Sequence, residues 1–333
     1  MARRERTTGL PRPRPRREAK APSRFGEREQ RLALIGGAAA LIVVILGLLG
    51  WRWYDQTFLQ PNKTILTVGE EKYSLKYYAD RLFLAAQQQS GTGTNVSILE
   101  QTLLTELETE AVTIILAREK GVTVSEEEIT AEIASQLGVP VGGAGSSFDT
   151  LYRQRLRAVK MSDSAYRRYT EAQVYRNKLA DLYEQEVGDK GEMFALRTVV
   201  AATKEEAEAI LARARAGEDL GTLAQTLSTD LASRQKDGLM EAEPTRLLPE
   251  NVRKAVEGKS AGDELFGPVE VAGNWWVFRI QTKDSEGQYS ETQKAQLTDL
   301  VLEDALAAKR PQVKIERDIE SSDYKWAEEH AGD

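Results

Sequence analysis

"LFGPVEVAGNWWVFRIQTK" (Leu265–Lys283) is the stretch whose reading decides the fold. After Gly-Pro and Gly turns, two runs rich in β-branched and aromatic residues follow one another, and they read as a two-strand hairpin. Successive side chains on a strand point to opposite faces. Trp276, Phe278 and Ile280 therefore share one face, and Trp275, Val277 and Arg279 share the other. If one tryptophan of the pair faces a core, its neighbour must face something else.

Working outward from the hairpin, a regular order emerges. "GDKGE" (Gly188–Glu192) marks a boundary, and "MFALRTVVAA" (Met193–Ala202) reads as a strand. Thr203 with Glu206 forms a capping box that opens a helix, and Gly217 ends it. "LGTLAQTLST" (Leu220–Thr229) is a short helix, "DLASRQKDGLMEA" (Asp230–Ala242) a loop, and "LPENVRKAVEG" (Leu248–Gly258) a third helix. The order β-α-α-α-β-β predicts a compact α+β domain. Ahead of it, Thr64–Val68 reads as a strand, a Gly-Glu turn follows, and Ser74 caps a helix. Leu99, Leu103, Leu107, Ala111 and Ile114 recur at helical spacing across Ser97–Lys120. Ser125 with Glu128 caps a further helix bearing Ile129, Ile133 and Leu137. Helices are also predicted over Phe148–Val159, Ser162–Val187 and, after the α+β block, Ser290–Lys309. Helical residues flank the block on both sides, so it reads as inserted into a helical domain. Gln87–Asn95 and the glycine-rich "GVPVGGAGSS" (Gly138–Ser147) read as loops, and the latter lacks the Lys-Ser/Thr ending of a phosphate-binding loop.

Composition removes several chemistries. The 333 residues include no cysteine and a single histidine, His330, close to the C-terminus on a segment that reads as frayed. Disulfides, thiolate catalysis and cysteine-ligated zinc are excluded, and the usual general base is missing. No metal and no cofactor is expected.

Charge is strongly asymmetric. Residues 1–31 carry eleven Lys/Arg against four Glu, a net of +7, so the total of −7 leaves −14 for the remainder. Between them Leu32–Trp51 holds twenty residues without a charge, about 30 Å of helix and enough to span a bilayer core. Trp51, Trp53 and Tyr54 follow it as an interfacial aromatic belt would. No small-residue cleavage site follows, so the reading is an uncleaved anchor, with a disordered basic cytoplasmic tail (residues 1–31) and the acidic body outside. Anionic lipid and topology account for the arginines, and nucleic acid is not expected as a partner.

These motifs together resemble a known family. "ARAGEDLGTLAQTLSTD" (214–230), "DGLM" (237–240), "LLPENVRKAV" (247–256), "LFGPVEV" (265–271) and "GNWWVFRI" (273–280) resemble, in order, the parvulin-type peptidyl-prolyl isomerase (rotamase) domain. "VGEEKYSLKYYADRL" (68–82) and "GVTVSEEEITAEI" (121–133) resemble the N-terminal chaperone region of SurA-, PrsA- and PpiD-like foldases. The resemblance implies an α+β architecture in five parts. They are the tail, the transmembrane helix (32–51), a mainly helical chaperone domain (52–189), an inserted rotamase domain of FKBP-like superfold (190–284), and a C-terminal helix and tail (285–333) in which the helix packs back on the chaperone domain.

The resemblance also assigns a site, residue by residue. The family's first-strand histidine falls on Thr198, and its second on Trp276. The acidic or thiol residue is kept as Asp230, and Asp230 also reads as a simple turn cap. The pocket leucine falls on Leu239, and the residues that floor the proline pocket fall on Leu247 or Leu248 and on Val252. Rotation about an X-Pro bond needs no proton transfer. A dry pocket for the ring and hydrogen bonds to the twisted amide suffice against a barrier of about 20 kcal/mol. The implied function is a membrane-anchored extracytoplasmic foldase that binds unfolded or proline-containing exported polypeptides and keeps a rotamase domain without its histidines. The alternatives are a catalytically inactive holdase and an accessory protein of the secretion channel. Tyr166, Tyr169 and Tyr175 serve either a binding surface or a core.

Overall fold

The computed structural model describes residues 27–89, 96–141 and 147–332. Most of the basic tail (1–26), the loop at 90–95 and the glycine-rich loop at 142–146 lie outside the described residues.

Helix α1 (Glu27–Tyr54) continues through a π-helical turn (Asp55–Leu59) into α2 (Gln60–Asn62). Ile35–Asn62 is long and apolar enough to cross a membrane by length and composition, and none of its apolar window is buried. Trp51 lies against Tyr54, and Trp53 meets Phe58 edge-on at 5.7 Å.

Residues 61–333 form a second unit. It opens with the hairpin β1 (Thr64–Val68) and β2 (Glu71–Ser74). Ser74 Oγ accepts from the Tyr77 amide and starts α3 (Leu75–Gln88), so the cap read from sequence is present. Helices α4 (Val96–Glu119), α5 (Glu126–Gln136), α6 (Phe148–Val159) and α7 (Asp163–Val187) follow. The Ser125–Glu128 capping box of α5 forms with both hydrogen bonds. Leu99, Leu103, Leu107 and Ala111 of α4 are buried in one core with Ile65, Leu66 and Tyr78, while Ile114 belongs to a neighbouring one against α7. Tyr166 and Tyr175 are buried as well, so packing is their role.

The block after α7 forms a four-stranded sheet. In chain order it contains β3 (Lys190–Ala201), α8 (Lys204–Arg215), α9 (Leu220–Leu227), α10 (Leu231–Arg234), β4 (Glu243–Pro244), a 3-10 turn at Thr245–Leu247, α11 (Glu250–Val256), β5 (Leu265–Val271) and β6 (Asn274–Gln288). Strand order is β4-β3-β6-β5, all antiparallel. The expected loop at 230–242 therefore contains a short helix. The hairpin is also longer than its sequence signal, because the C-terminal half of β6 pairs with the start of β3 as far as Lys190–Gln288.

Helix α12 (Glu291–Lys309) then returns to pack on α7 and α4. Beyond it the structure departs from the expected frayed tail. β7 (Ile315–Arg317) pairs antiparallel with β1, giving a three-stranded sheet of order β2-β1-β7, and α13 (Ser321–Glu329) packs on α3. Trp326 is buried in the helical core, and His330 stacks on it at 4.3 Å. The open edge of β1 supplies partners that no local pattern of residues 311–333 announces.

Candidate functional site

The register of β3 against β6 sorts the candidate residues onto faces. Thr198 pairs with Phe278 and Val200 with Trp276, and directly opposed residues share a face. Thr198, Trp276, Phe278 and Ile280 thus lie on one side of the sheet. There Phe278 and Ile280 join Leu248, Val252, Val256 and Phe266 in one core, with Trp276 packed against it. Phe266 stacks on Phe278 at 5.3 Å. Trp275 answers the alternation from the other side. It packs on the cluster of Val199, Ile210, Leu223 and Val277 beneath α8 and α9, and the Lys204 ammonium lies 5.8 Å from its ring.

Thr198 is fully buried, and its Oγ1 has no hydrogen-bond partner among the described residues. An unpaired hydroxyl in an apolar layer costs about 1–3 kcal/mol. Its amide is satisfied by the Gly238 carbonyl at 2.8 Å.

The free edge of β3 is closed by the segment 228–240. Ser228 Oγ accepts from the Val200 amide, the Thr229 amide donates to Val200 O at 2.8 Å, and the Met240 amide donates to Leu196 O at 2.9 Å. Asp230 follows at once as the N-cap of α10, its Oδ2 accepting from the Ser233 amide at 2.8 Å. The Ser233 side chain, and then its amide, hold the Asp230 carboxyl below the usual carboxylate range. The structure therefore places Asp230 at the edge beside Val200, exposed, in a capping geometry.

Leu239 is not brought to the others. It bridges to Arg197, whose side chain belongs to the opposite face, and it is 37% exposed. Met240, one residue on, turns to the Trp276 side instead. With Leu247, Leu248, Pro249 and Trp276 it lines a cavity of about 520 Å³. The far wall comes from α12, through Gln296, Asp299, Leu300 and Glu303. Sequence reading missed Met240 because the pairing of Leu239 with Arg197 fixes which of two adjacent side chains turns inward. It missed the α12 wall because that contact spans the two halves of the body.

A second depression lies among the helices. It measures about 710 Å³ between α3, α4 and α7. Thr102, Thr105, Thr109 and Thr113 stripe one face of α4 there, and each hydroxyl donates to the carbonyl four residues earlier. That leaves the methyls to the groove. Arg81 sits at its base, 5% exposed, salt-bridged to Glu110 at 2.6 Å and lying 4.5 Å over the Tyr169 ring. Burial pushes the neighbouring Tyr77 hydroxyl up to about 12.

Two family models match successive parts of the chain. The family model described as SurA-like N-terminal domain matches residues 28–180, and that described as PPIC-type PPIase domain matches residues 190–282. No curated protein sequence matches the chain. Among solved structures, peptidylprolyl isomerase PrsA from Bacillus anthracis is similar at 16% identity over 63% of this chain and 96% of its own, with a TM-score of 0.44. PrsA from Bacillus cereus is similar at 14% identity over 81% and 99%, with a TM-score of 0.41. A SurA-like chaperone of Campylobacter jejuni is similar at 16% identity over 58% and 92%, with a TM-score of 0.28. At such values these likenesses add nothing to the assignment, which rests on the two family models. Residues 28–180 thus match a SurA-like N-terminal domain and residues 190–282 a PPIC-type peptidyl-prolyl isomerase domain, joined in one chain.

Proposed function

We propose that this chain is a membrane-anchored extracytoplasmic foldase whose PPIC-type domain takes prolyl segments of exported polypeptides at the Trp276 face of its sheet. One observation carries the reading. Met240, Leu247, Leu248 and Trp276 line a single cavity beside the Val252–Phe278 core, on the same sheet face as Thr198. A pocket of this size with an apolar floor suits a prolyl ring with its flanking residues. Thr198 and Trp276 stand where the family carries histidines, so the imidazole network is absent. What remains for catalysis is desolvation of the ring and hydrogen bonding to the twisted amide, by a backbone amide or by Asp230 at the edge. The long apolar helix and the basic leader support an anchor with its N-terminus cytoplasmic.

The test is cis-to-trans relaxation of a proline peptide with the full chain in lipid nanodiscs. We expect acceleration over the uncatalysed rate, weakened in Asp230→Ala. Asp230→Asn keeps a capping acceptor while removing the charge, so it separates a chemical role from a capping role. No acceleration above background would sink the isomerase reading. The second reading, a holdase without isomerase activity, is favoured by the threonine-lined groove around Arg81. A holdase suppresses aggregation of an unfolded protein at stoichiometric ratio whatever stands at Asp230. A partner of the secretion channel, the third reading, shows neither activity and is recovered by crosslinking in membranes.

A further inference from the structure

The wall opposite Trp276 carries charge of one sign. Asp299 and Glu303 reach it from α12, and Glu243 from β4, while no lysine or arginine lines the cavity. On α12 the lining positions 296, 299, 300 and 303 follow helical spacing, so they form one face. The ion pairs of that helix run elsewhere. Lys294 binds Glu184 and Asp189, Asp304 binds Arg246, and Lys309 binds Glu119. Asp299 and Glu303 have no cationic partner among the described residues, and both are exposed. The helix is also held in place against the isomerase domain. Gln293 Nε2 donates to Ala242 O at 2.8 Å and to Glu243 at 3.3 Å, and the Arg246–Asp304 pair closes the other end. On the sheet side Thr198 leaves a fully buried hydroxyl unpaired two residues from the rung of Trp276.

We propose that this cavity selects prolyl segments flanked by lysine or arginine, and that the chaperone-side helix α12 supplies the selectivity. The inference rests on the reading that the Trp276 face takes a prolyl segment. A lysine or arginine suits the place twice over. Its aliphatic stem lies along Leu300 and Trp276, and its charged head reaches the carboxylates at the rim. The Trp276 face adds a cation–π partner. An acidic flank meets three like charges instead. Specificity then belongs to neither domain alone, since the apolar floor and Glu243 come from one and Asp299 and Glu303 from the other.

The experiment uses the full chain in zwitterionic nanodiscs and fluorescent peptides in which a central Ala-Pro is flanked by lysines, by glutamates or by alanines. Binding is read by anisotropy. The lysine peptide should bind about tenfold more tightly than the glutamate peptide at low ionic strength. The preference should shrink in high salt. The double variant Asp299→Asn, Glu303→Gln should lose most of it while still binding the alanine peptide. Its unfolding midpoint, compared with that of the parent, reports that the helix stays folded. Equal binding of lysine and glutamate peptides, or a preference untouched by the double variant, overturns the inference. Alanine-peptide binding that Trp276→Ala weakens reports the underlying reading separately. If that binding persists without a charge preference, only the present inference falls, and if no peptide binds, both fall.

Discussion

Two side chains show what a single residue's surroundings impose. Glu100 on α4 is 7% exposed, and its Oε1 has no partner. Burial first, and then the nearby Glu328, raise its carboxyl above the usual range. A raised carboxylate contributes stability that is complete below its unfolded pKa and is lost as pH rises through the folded one. Glu100→Gln removes the ionisation and leaves the backbone carbonyl that accepts from the Tyr78 hydroxyl. The variant should therefore be more stable than the parent near pH 7, by about 1 kcal/mol, with the gap closing near pH 4. Urea denaturation at both pH values measures it, and an equal or larger gain at the acid end would contradict the assignment. The same scale shows what was legible at the site. Trp276, Phe278 and Ile280 could be placed on one face by alternation alone, and the structure keeps them there. Leu239 could not be told from Met240, because the choice depends on a bridge to Arg197 forty-two positions earlier in the chain. Asp230 was open to two roles in the sequence, and its contacts are those of a cap.

At the scale of elements, local signals held where the chemistry is local. Ser74, Ser125, Ser162 and Thr203 all cap the helices they precede, because a side-chain oxygen three residues from an unpaired amide needs no distant partner. The short elements were silent. β4 has two residues, α10 four and β7 three, too few for any period, and each exists because another segment offers it hydrogen bonds or a packing surface. The segment that closes the edge of β3 turns on Gly238, where φ is +75°. A Cβ there would lie 2.6 Å from Thr198 O and 2.7 Å from the Ala224 Cβ. Gly238→Ala should cost at least about 2 kcal/mol, left-handed strain plus a clash with backbone that cannot yield. It should also pull Met240 off the cavity and weaken peptide binding. Gly258 is the control, since its φ is +69° and a Cβ meets nothing within 4 Å. Gly258→Ala should cost only about 1 kcal/mol and leave binding unchanged. Similar losses for the two in thermal unfolding would show that the Gly238 turn does not anchor the site.

At the scale of the whole molecule, the chain leaves the helical body at β3 and must rejoin it after β6, and the join is made by charge as well as by β7. Glu108 of α4 is fully buried and accepts from both Arg310 and Arg317, on either side of the turn into β7. The two arginine side chains are 44% and 40% exposed while the Glu108 side chain is 1% exposed, so the desolvated member of the cluster is the carboxylate. Removing a partner from a buried charge costs more than removing the charge, because what is left behind sets the penalty. Glu108→Gln leaves two half-exposed arginines that water can solvate, and it should cost about 2 kcal/mol. The double variant Arg310→Ala, Arg317→Ala strands a buried carboxylate and should cost about 3–5 kcal/mol. The ordering of the two, read from urea midpoints, is the prediction, and equal losses would mean that the cluster works by packing rather than by charge. Where the damage appears matters as much. If residues 310–332 are an arm clamped onto the helical body, the double variant should gain protease cleavage sites first in that arm. The sheet block between Lys190 and Gln288, whose two cores draw nothing from the clamp, should stay protected. Cleavage within that block at the same rate would instead tie the stability of the isomerase domain to the arm, and the block would then be no independent insertion.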